Sequence, residues 1–266
     1  RKAKESKEVR MGMRAGVAVR TLLSVLGCLM VAVLVYTIAT DGLPFRMDLL
    51  TRWMAALLID FYINIAVIGF WVVYKESTWI MAALWLLLLI CFGSVTTCAY
   101  IVFQFYKLTP EEESSKDPFY FLLVRHQKSD VMEHRKGVSV MTARLIFALL
   151  ACFMLGTLLY TLIVDGSPFR SQLYTPWVVA TLIDFYINVV ALSVWVAYKE
   201  SSWMHAFLWI LFLICFGSIT TCLYIVRQLF YLSSDQPIFL ILFHNNHRQV
   251  IDLKSNDPPL MVGAKE

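Results

Sequence analysis

The chain has 266 residues and a net charge of +4; 59% of its residues are hydrophobic and 16% are charged, against roughly 45–50% and 25% in soluble domains. This excess of apolar side chains is too large for a soluble core, so we expect lipid to contact much of the surface. The composition also excludes nucleic-acid binding, because no basic face with interleaved aromatic residues lies outside the apolar segments.

Three apolar runs organise the first part of the chain, after a polar and basic segment at residues 1–18. Because the sequence begins with Arg1, residues upstream could be missing. The predicted spans are residues 19–40, 53–74 and 79–105. Each is long enough, at about 1.5 Å per residue, to cross a hydrocarbon layer roughly 30 Å thick. The first is too long for a signal-peptide core. We therefore predict a three-helix unit, repeat 1, over residues 19–108.

A polar linker at residues 109–142 follows repeat 1. It contains an apolar patch at residues 118–124 that is far too short to cross a membrane. A short interfacial helix is the expected structure for such a patch.

The chain then repeats itself at a constant offset of 124 residues. The stretch LIDFYIN at residues 58–64 returns unchanged at residues 182–188, and Tyr-Lys-Glu-Ser also occurs in both halves. This duplication predicts a second unit, repeat 2, over residues 143–232. Its predicted spans are residues 144–164, 177–198 and 203–231. The tail, residues 233–266, begins with a second apolar patch at 237–243.

The span count predicts how the two units are oriented. Three spans per unit is an odd number, so we expect repeat 2 to be inverted relative to repeat 1, as in many secondary transporters. Parallel units would need one more crossing or a re-entrant element in the linker. The basic N-terminal segment predicts that both termini are cytosolic. The basic residues of the linker then fall on the other side, against the usual charge rule.

One acid–amide pair lies inside the second span of each unit. Asp60 and Asn64 are four residues apart, as are Asp184 and Asn188, so each pair shares one helix face. Ionisable residues inside membrane spans are mostly functional. Two such helices facing each other would line one central polar site, where an aspartic acid could carry a proton, act as a general acid or donate a hydrogen bond. Alternatively, each aspartic acid only ties helices together.

Hydroxyl groups in the third spans are second-rank candidates for the same site. Ser94 and Thr97 are mirrored by Ser218 and Thr221, and these side chains could supply hydroxyls to the aspartic acids. The alternative is helix packing, because Gly93 and Thr97 form a small-xxx-small pair.

Glu76 and Glu200 are also second-rank candidates, since the repeated Tyr-Lys-Glu-Ser is tighter than a turn requires. Ordinary solvated turn residues are the alternative. Two charged pairs beside Gly–Pro breaks could form local ion pairs: Asp41 with Arg46, and Asp165 with Arg170.

The sequence predicts neither a metal site nor a cofactor. The six cysteines lie in apolar runs without metal-type spacing, and we expect them to pack as small apolar residues. His244 and His247 lack cysteine or carboxylate ligands beside them. No hydrolase elbow, P-loop, dinucleotide fingerprint or HExxH motif occurs.

The doubled Ile-Asp-Phe-Tyr-Ile-Asn and Tyr-Lys-Glu-Ser, followed by Ile-Cys-Phe-Gly-Ser, resemble a plant family of uncharacterised tandem-repeat membrane proteins over residues 15–245. One unit also resembles small bacterial membrane proteins of unknown function that are related to membrane-embedded terpene cyclases. That resemblance implies acidic residues acting within the spans. The acids that could match are Asp60, Glu76, Asp184 and Glu200.

Three functions follow from these observations. Transport or conduction of a small or lipid-like molecule is the first, from the predicted inverted repeat and the intramembrane acids. A membrane-embedded cyclase or isomerase with an aspartic acid as general acid is the second, and a non-catalytic scaffold is the third. We expect an integral protein of an endomembrane or the plasma membrane, with the lipid bilayer and a small-molecule or lipid ligand as partners.

Overall fold

The computed structural model describes residues 2–44, 46, 49–109, 112, 117–124, 139–170, 173–233 and 236–243, with side chains described from residue 9 onward. Most of the predicted linker, the tail beyond residue 243, and both His244 and His247 lie outside the described residues. Every regular element within them is a helix, so the all-α prediction is confirmed.

The described residues of repeat 1 form four α-helices, and a short fifth one follows. They are α1 (Lys2–Asp41), α2 (Arg52–Lys75), α3 (Trp79–Phe92), α4 (Ser94–Tyr106) and α5 (Pro118–Leu123). The Thr51 hydroxyl accepts a hydrogen bond from the Met54 amide at 3.2 Å, which satisfies one free donor at the start of α2. Gly42, with φ +78°, follows the last residue of α1, as glycine commonly does at helix ends.

Repeat 2 has the same order of elements. They are α6 (Val140–Asp165), α7 (Pro176–Lys199), α8 (Trp203–Phe216), α9 (Ser218–Phe230) and a 3-10 helix (Ile238–Leu242). Thr175 caps α7 through the Val178 amide at 3.3 Å, just as Thr51 caps α2. The duplication of the sequence is therefore also a duplication of local structure, and short helices occupy both apolar patches.

Within the described part of the chain, four helices are long and apolar enough to cross a membrane, which is compatible with an integral membrane protein. They are residues Val9–Asp41 of α1, and α2, α6 and α7. The prediction of six spans is not confirmed. The third run of each unit is divided at Gly93 or Gly217 into helices of 14 and 13 residues. A helix of 14 residues is only about 21 Å long, less than the roughly 30 Å of a hydrocarbon layer.

Each divided run folds back on itself as a helical hairpin. The rings of Trp85 in α3 and Tyr100 in α4 are 5.0 Å apart, and those of Trp209 in α8 and Tyr224 in α9 are 5.1 Å apart. In a continuous helix, residues with this separation would be about 22 Å apart along the axis. The chain therefore reverses at the glycine. We call α3–α4 hairpin 1 and α8–α9 hairpin 2.

Both hairpins return to the end of the bundle from which they start, which we call the linker end. There, Lys75 at the end of α2 donates to the Phe121 carbonyl of α5 at 3.1 Å. Arg144, near the start of α6, donates to the Leu229 carbonyl near the end of α9 at 2.9 Å. The starts of α1 and α6 and the ends of α2, α7 and both hairpins therefore lie together.

The opposite end of the bundle, the loop end, contains the α1–α2 and α6–α7 connections of both units. Arg52 and Asp165 form an ion pair across the units at 2.6 Å, and Trp177 Nε1 donates to the Gly42 carbonyl at 3.2 Å. Inverted units would place these two connections at opposite ends. The prediction of an inverted repeat is therefore wrong, because it counted the hairpin as a third crossing. Asp165 also pairs with Arg52 rather than with the predicted Arg170.

The two units pack closely through their central helices, α2 and α7. Helix α1 packs against α7, α6 packs against α2, and the hairpin arms α4 and α9 lie against α1 and α6. A cluster that includes Phe61 and Phe185 fills the region between the units. Of the six cysteines, only Cys98 and Cys222 are buried, and the other four are exposed. The packing role predicted for the cysteines therefore fails for those four.

Candidate functional site

The predicted acid–amide pair of repeat 1 contacts the hairpin of repeat 2. The Asp60 carboxyl group accepts a hydrogen bond from the Ser218 amide at 2.7 Å. The Asn64 side-chain carbonyl accepts one from the Thr221 hydroxyl at 2.8 Å. Asn64 and Ser218 are fully buried, and Thr221 is nearly so. We call these four residues the first polar cluster.

The second polar cluster has the same construction with the units exchanged. Asp184 accepts from the Ser94 amide at 2.7 Å, and Asn188 accepts from the Thr97 hydroxyl at 2.7 Å. The structure thus brings together all eight candidates of the second and third runs. It does so in two clusters, each with its own hydrogen bonds between the units.

The spacing of the residues explains why two hydrogen bonds form in each cluster. Asp60 and Asn64 are one turn apart on α2, and Ser218 and Thr221 are one turn apart on α9. The turn of α2 therefore contacts the turn of α9 at both residue pairs, Asp60 with Ser218 and Asn64 with Thr221. Because α9 begins at Ser218, the Asp60 carboxyl group lies at a helix N-terminus. Free amides and the helix dipole there favour an acidic group.

A glycine at each hairpin tip is required by both conformation and space. Gly93 and Gly217 have φ of +50° and +51°, a region that other residues rarely adopt. A Cβ atom on Gly217 would overlap Asp60 Oδ2 and lie 2.7 Å from Phe185 Cζ. The small-xxx-small interpretation of Gly93 and Thr97 is therefore wrong, because Gly93 separates two helices instead of lying on the face of one.

One buried polar atom of the clusters, Asn64 Nδ2, has no hydrogen-bond partner among the described residues. The Ser94 and Ser218 hydroxyls lie beside the carboxyl groups of Asp184 and Asp60. The atom of repeat 2 that corresponds to Asn64 Nδ2, Asn188 Nδ2, donates to the Asp184 carbonyl at 3.3 Å. Leaving a buried donor or acceptor unsatisfied costs roughly 1–3 kcal/mol. A small polar species beside Asn64 Nδ2 would therefore be stabilised.

Glu76 and Glu200 do not join the polar clusters but lie at the linker end. Glu76 accepts hydrogen bonds from the Tyr100 hydroxyl at 2.9 Å and from Gln104 at 3.1 Å. Glu200 accepts one from the Tyr224 hydroxyl at 3.0 Å. Each glutamate therefore ties the end of a central helix to the returning arm of its own hairpin, which is more than a solvated turn residue does.

Sequence reasoning missed the two lysines beside these glutamates. Lys75 donates to main-chain carbonyls at the end of α5, and Lys199 donates to those at the end of the 3-10 helix. Lys199 is only 3% exposed. A cationic group suits helix C-terminal carbonyls, which lack intrahelical donors. The repeated Tyr-Lys-Glu-Ser was the available signal, because a lysine beside each glutamate is not needed for a turn.

Two pockets lie outside the polar clusters. The first has a volume of about 340 Å³ and is lined by Leu58, Ile59, Tyr62, Ile63, Ala66 and Leu150. Its walls are apolar and aromatic, and Asp60 is not one of the lining residues. The second has a volume of about 270 Å³, lies where α7 meets α8, and includes Glu200 in its wall.

Comparison with known proteins identifies related sequences without an assigned activity. A family model described as a protein of unknown function (DUF1475) matches the chain twice, over residues 13–129 and 111–249. The double match agrees with the duplication and with the resemblance to an uncharacterised tandem-repeat family, but it carries no link to plants or to terpene cyclases. No curated protein and no solved structure matches significantly.

Proposed function

The chain belongs to the DUF1475 family of proteins of unknown function, and we propose that it is a non-catalytic membrane scaffold whose two units are locked together through their hairpins. One observation carries the proposal. Each acid and amide of the central helices is hydrogen-bonded to the hairpin of the opposite unit. Buried polar side chains used in this way tie helices together in membranes.

The hydrogen bonds between the units hold a defined surface together at the linker end. Lys75 and Lys199 attach α5 and the 3-10 helix to the ends of the central helices. Tyr74 stacks on Phe239 at 5.0 Å, and the Tyr198 hydroxyl donates to Asp117 at 3.1 Å. In each case the tyrosine of one unit contacts the short helical segment of the other. A scaffold would present this surface, since both units contribute to it in one fixed arrangement.

Substitutions of Asp60 test the contribution of the hydrogen bonds between the units. We expect Asp60→Ala to lower the free energy of unfolding by about 1–3 kcal/mol, because the buried Ser218 amide loses its acceptor. Asp60→Asn keeps an acceptor oxygen and should have less than half that effect. Thermal unfolding of the purified protein in detergent micelles measures both. An asparagine variant as unstable as the alanine variant would show that the lost acceptor for the Ser218 amide is not the cause of the instability.

Transport or conduction of a small polar species is the second candidate function. It is favoured by the Asn64 amide nitrogen, which has no partner among the described residues, and by half-helices that begin inside an apolar run, as they do at transporter sites. The apolar pocket near Tyr62 does not favour a cyclase, because it has no acid among its lining residues.

Proton flux separates the two candidates. If the protein is a scaffold, vesicles containing it should lose an imposed pH gradient no faster than protein-free vesicles, as reported by an enclosed pH-sensitive dye. The double variant Asp60→Asn/Asp184→Asn should behave in the same way. A wild-type rate well above the protein-free rate, abolished in the double variant, would replace the scaffold with a proton-coupled pathway.

We also propose that the linker end is cytosolic. The N-terminal segment is rich in lysine and arginine, and the linker and the tail also carry basic residues. Parallel units bring the described ends of these segments to one side, which removes the conflict that an inverted repeat created. Positively charged segments are retained on the cytosolic side of a membrane.

Glycosylation mapping tests this orientation. With acceptor sites inserted singly into the linker, the tail and the connection after Gly42, only the last should be glycosylated in microsomes. Gel mobility before and after glycosidase treatment reports the result. Modification of the linker but not the tail would restore the inverted arrangement.

A further inference from the structure

We propose that the pocket beside Glu200 binds the headgroup of an amphiphile that carries a primary ammonium group. The pocket lies between the end of α7 and the start of α8, and its volume is about 270 Å³. Glu200 and Ser201 supply its polar wall, while Trp203, Phe207 and Ile210 supply aromatic and aliphatic walls. A carboxylate beside apolar walls suits a ligand with a cationic donor at one end and hydrocarbon at the other.

One oxygen of Glu200 is free to accept a ligand. Tyr224, Arg227 and Gln228 donate to it at 3.0, 3.1 and 3.4 Å, and all three bonds go to Oε1. Oε2 receives no hydrogen bond from the described residues. An ionised carboxylate only accepts hydrogen bonds, so Oε2 favours a ligand group that donates one. A primary ammonium group has N–H donors, whereas a trimethylammonium group has none.

The apolar face next to the pocket indicates that the ligand has a hydrocarbon chain. Trp203 is 82% exposed, and Phe207 and Ile214 are about half exposed. These residues and Ile210 lie on one face of α8, because they recur at three- and four-residue intervals. In the proposed membrane orientation, Trp203 lies at the interface, the preferred place for tryptophan. A chain extending from the pocket would therefore run along α8 into the hydrocarbon layer.

Repeat 1 lacks one aromatic wall of this pocket and the arginine that forms an ion pair with Glu200. Its equivalent of Arg227 is Phe103, and its equivalent of Phe207 is Ala83. Glu76 nevertheless keeps the tyrosine and glutamine partners that Glu200 has. Glu76 is therefore a matched control for removing a carboxylate in the same local setting. The inference depends on insertion into a membrane but not on the scaffold function.

Native mass spectrometry of the purified full chain in detergent micelles tests the proposal. The probes are phosphatidylethanolamine and phosphatidylcholine with identical acyl chains, and sphingosine with its N,N,N-trimethyl derivative. We expect each primary-ammonium probe to bind about tenfold more tightly than its methylated counterpart, through the charge-assisted hydrogen bond. Glu200→Gln should reduce that preference to less than twofold, whereas Glu76→Gln should retain it.

A second variant keeps the test decisive if Glu200→Gln does not fold. Phe207→Ala introduces the residue that repeat 1 already carries, and it should weaken all four probes without changing the headgroup preference. Equal binding of the two phospholipids by the wild type would overturn the proposal. So would an equal loss in Glu76→Gln and Glu200→Gln. If phosphatidylethanolamine shows the preference and sphingosine does not, the ligand is a phospholipid; if both do, the amine alone is sufficient.

Discussion

Gly217→Ala is expected to destabilise the protein by about 2–5 kcal/mol, from a strained positive φ and an overpacked contact together. The new Cβ would overlap Asp60 Oδ2 and press on Phe185. Neither neighbour can move away cheaply, because Asp60 is bonded to the adjacent Ser218 amide and Phe185 is buried in the core between the units. Thermal unfolding of the purified protein measures the loss.

Alanine substitutions at two other glycines separate the cost of a positive φ from the cost of the close contacts. Gly42 has φ +78° but no atom within 4 Å of its Cβ position, so Gly42→Ala should cost only about 1–2 kcal/mol. Gly156 lies inside α6 with the same open space, and alanine there should be neutral or stabilise by up to about 1 kcal/mol. If Gly217→Ala costs no more than Gly42→Ala, the close approach of Asp60 to the hairpin tip is wrong.

A double substitution tests whether the crowding comes from Asp60. In Gly217→Ala/Asp60→Gly the overlapping carboxyl group is absent. We expect the combined loss to be smaller than the sum of the two single losses by about 1 kcal/mol or more, as for residues in direct contact. Simple additivity would show that the two residues do not touch.

Dividing the chain within residues 125–138 should yield two fragments that accumulate only when they are produced together. Each fragment carries an acid–amide pair whose partners belong to the other fragment. Alone, each would leave these polar groups unsatisfied in an apolar setting. Co-purification through a tag on one fragment measures the association.

Substitutions in the fragments identify what holds them together. Asp60→Ala in one and Asp184→Ala in the other should together reduce recovery at least tenfold, since two hydrogen bonds at about 1–3 kcal/mol each are lost. Tyr62→Phe is the control, because the Tyr62 hydroxyl donates within its own unit, to the Ile90 carbonyl at 3.5 Å. Full recovery of the doubly substituted pair would show that the polar clusters do not lock the units.

The hairpins illustrate why part of the fold could not be predicted. The third runs are apolar from end to end, and hydropathy alone does not distinguish one long helix from two short antiparallel ones. Gly93 and Gly217 were visible in the sequence, but an isolated glycine is also common where helices pack. The ring contacts of Trp85 with Tyr100 and of Trp209 with Tyr224 show that the chain reverses. Without a third crossing in each unit, the number of spans is no longer odd and does not predict an inverted orientation of repeat 2.

The candidate site was predictable in its members but not in its arrangement. Asp60, Asn64 and their copies were identified because polar residues are rare inside apolar runs. Their partners lie about 90 and 158 residues away in sequence, and the internal symmetry allows bonding within a unit as readily as between units. The packing of α2 against both hairpins and α7 decides that these hydrogen bonds form between the units.

The sequence by itself determined an all-helical chain of two copies of one unit, with an acid–amide pair at the same place in each. Periodicity and hydropathy are local properties of the sequence, and the constant offset is found by comparing the sequence with itself. The tertiary structure alone decided that each unit has, among the described residues, two helices long enough to cross a membrane and one helical hairpin. It also decided that both units point the same way, and that each acid–amide pair bonds the other unit. These features depend on which surfaces meet, and a buried carboxyl group is stable only where a donor from a distant segment is held against it.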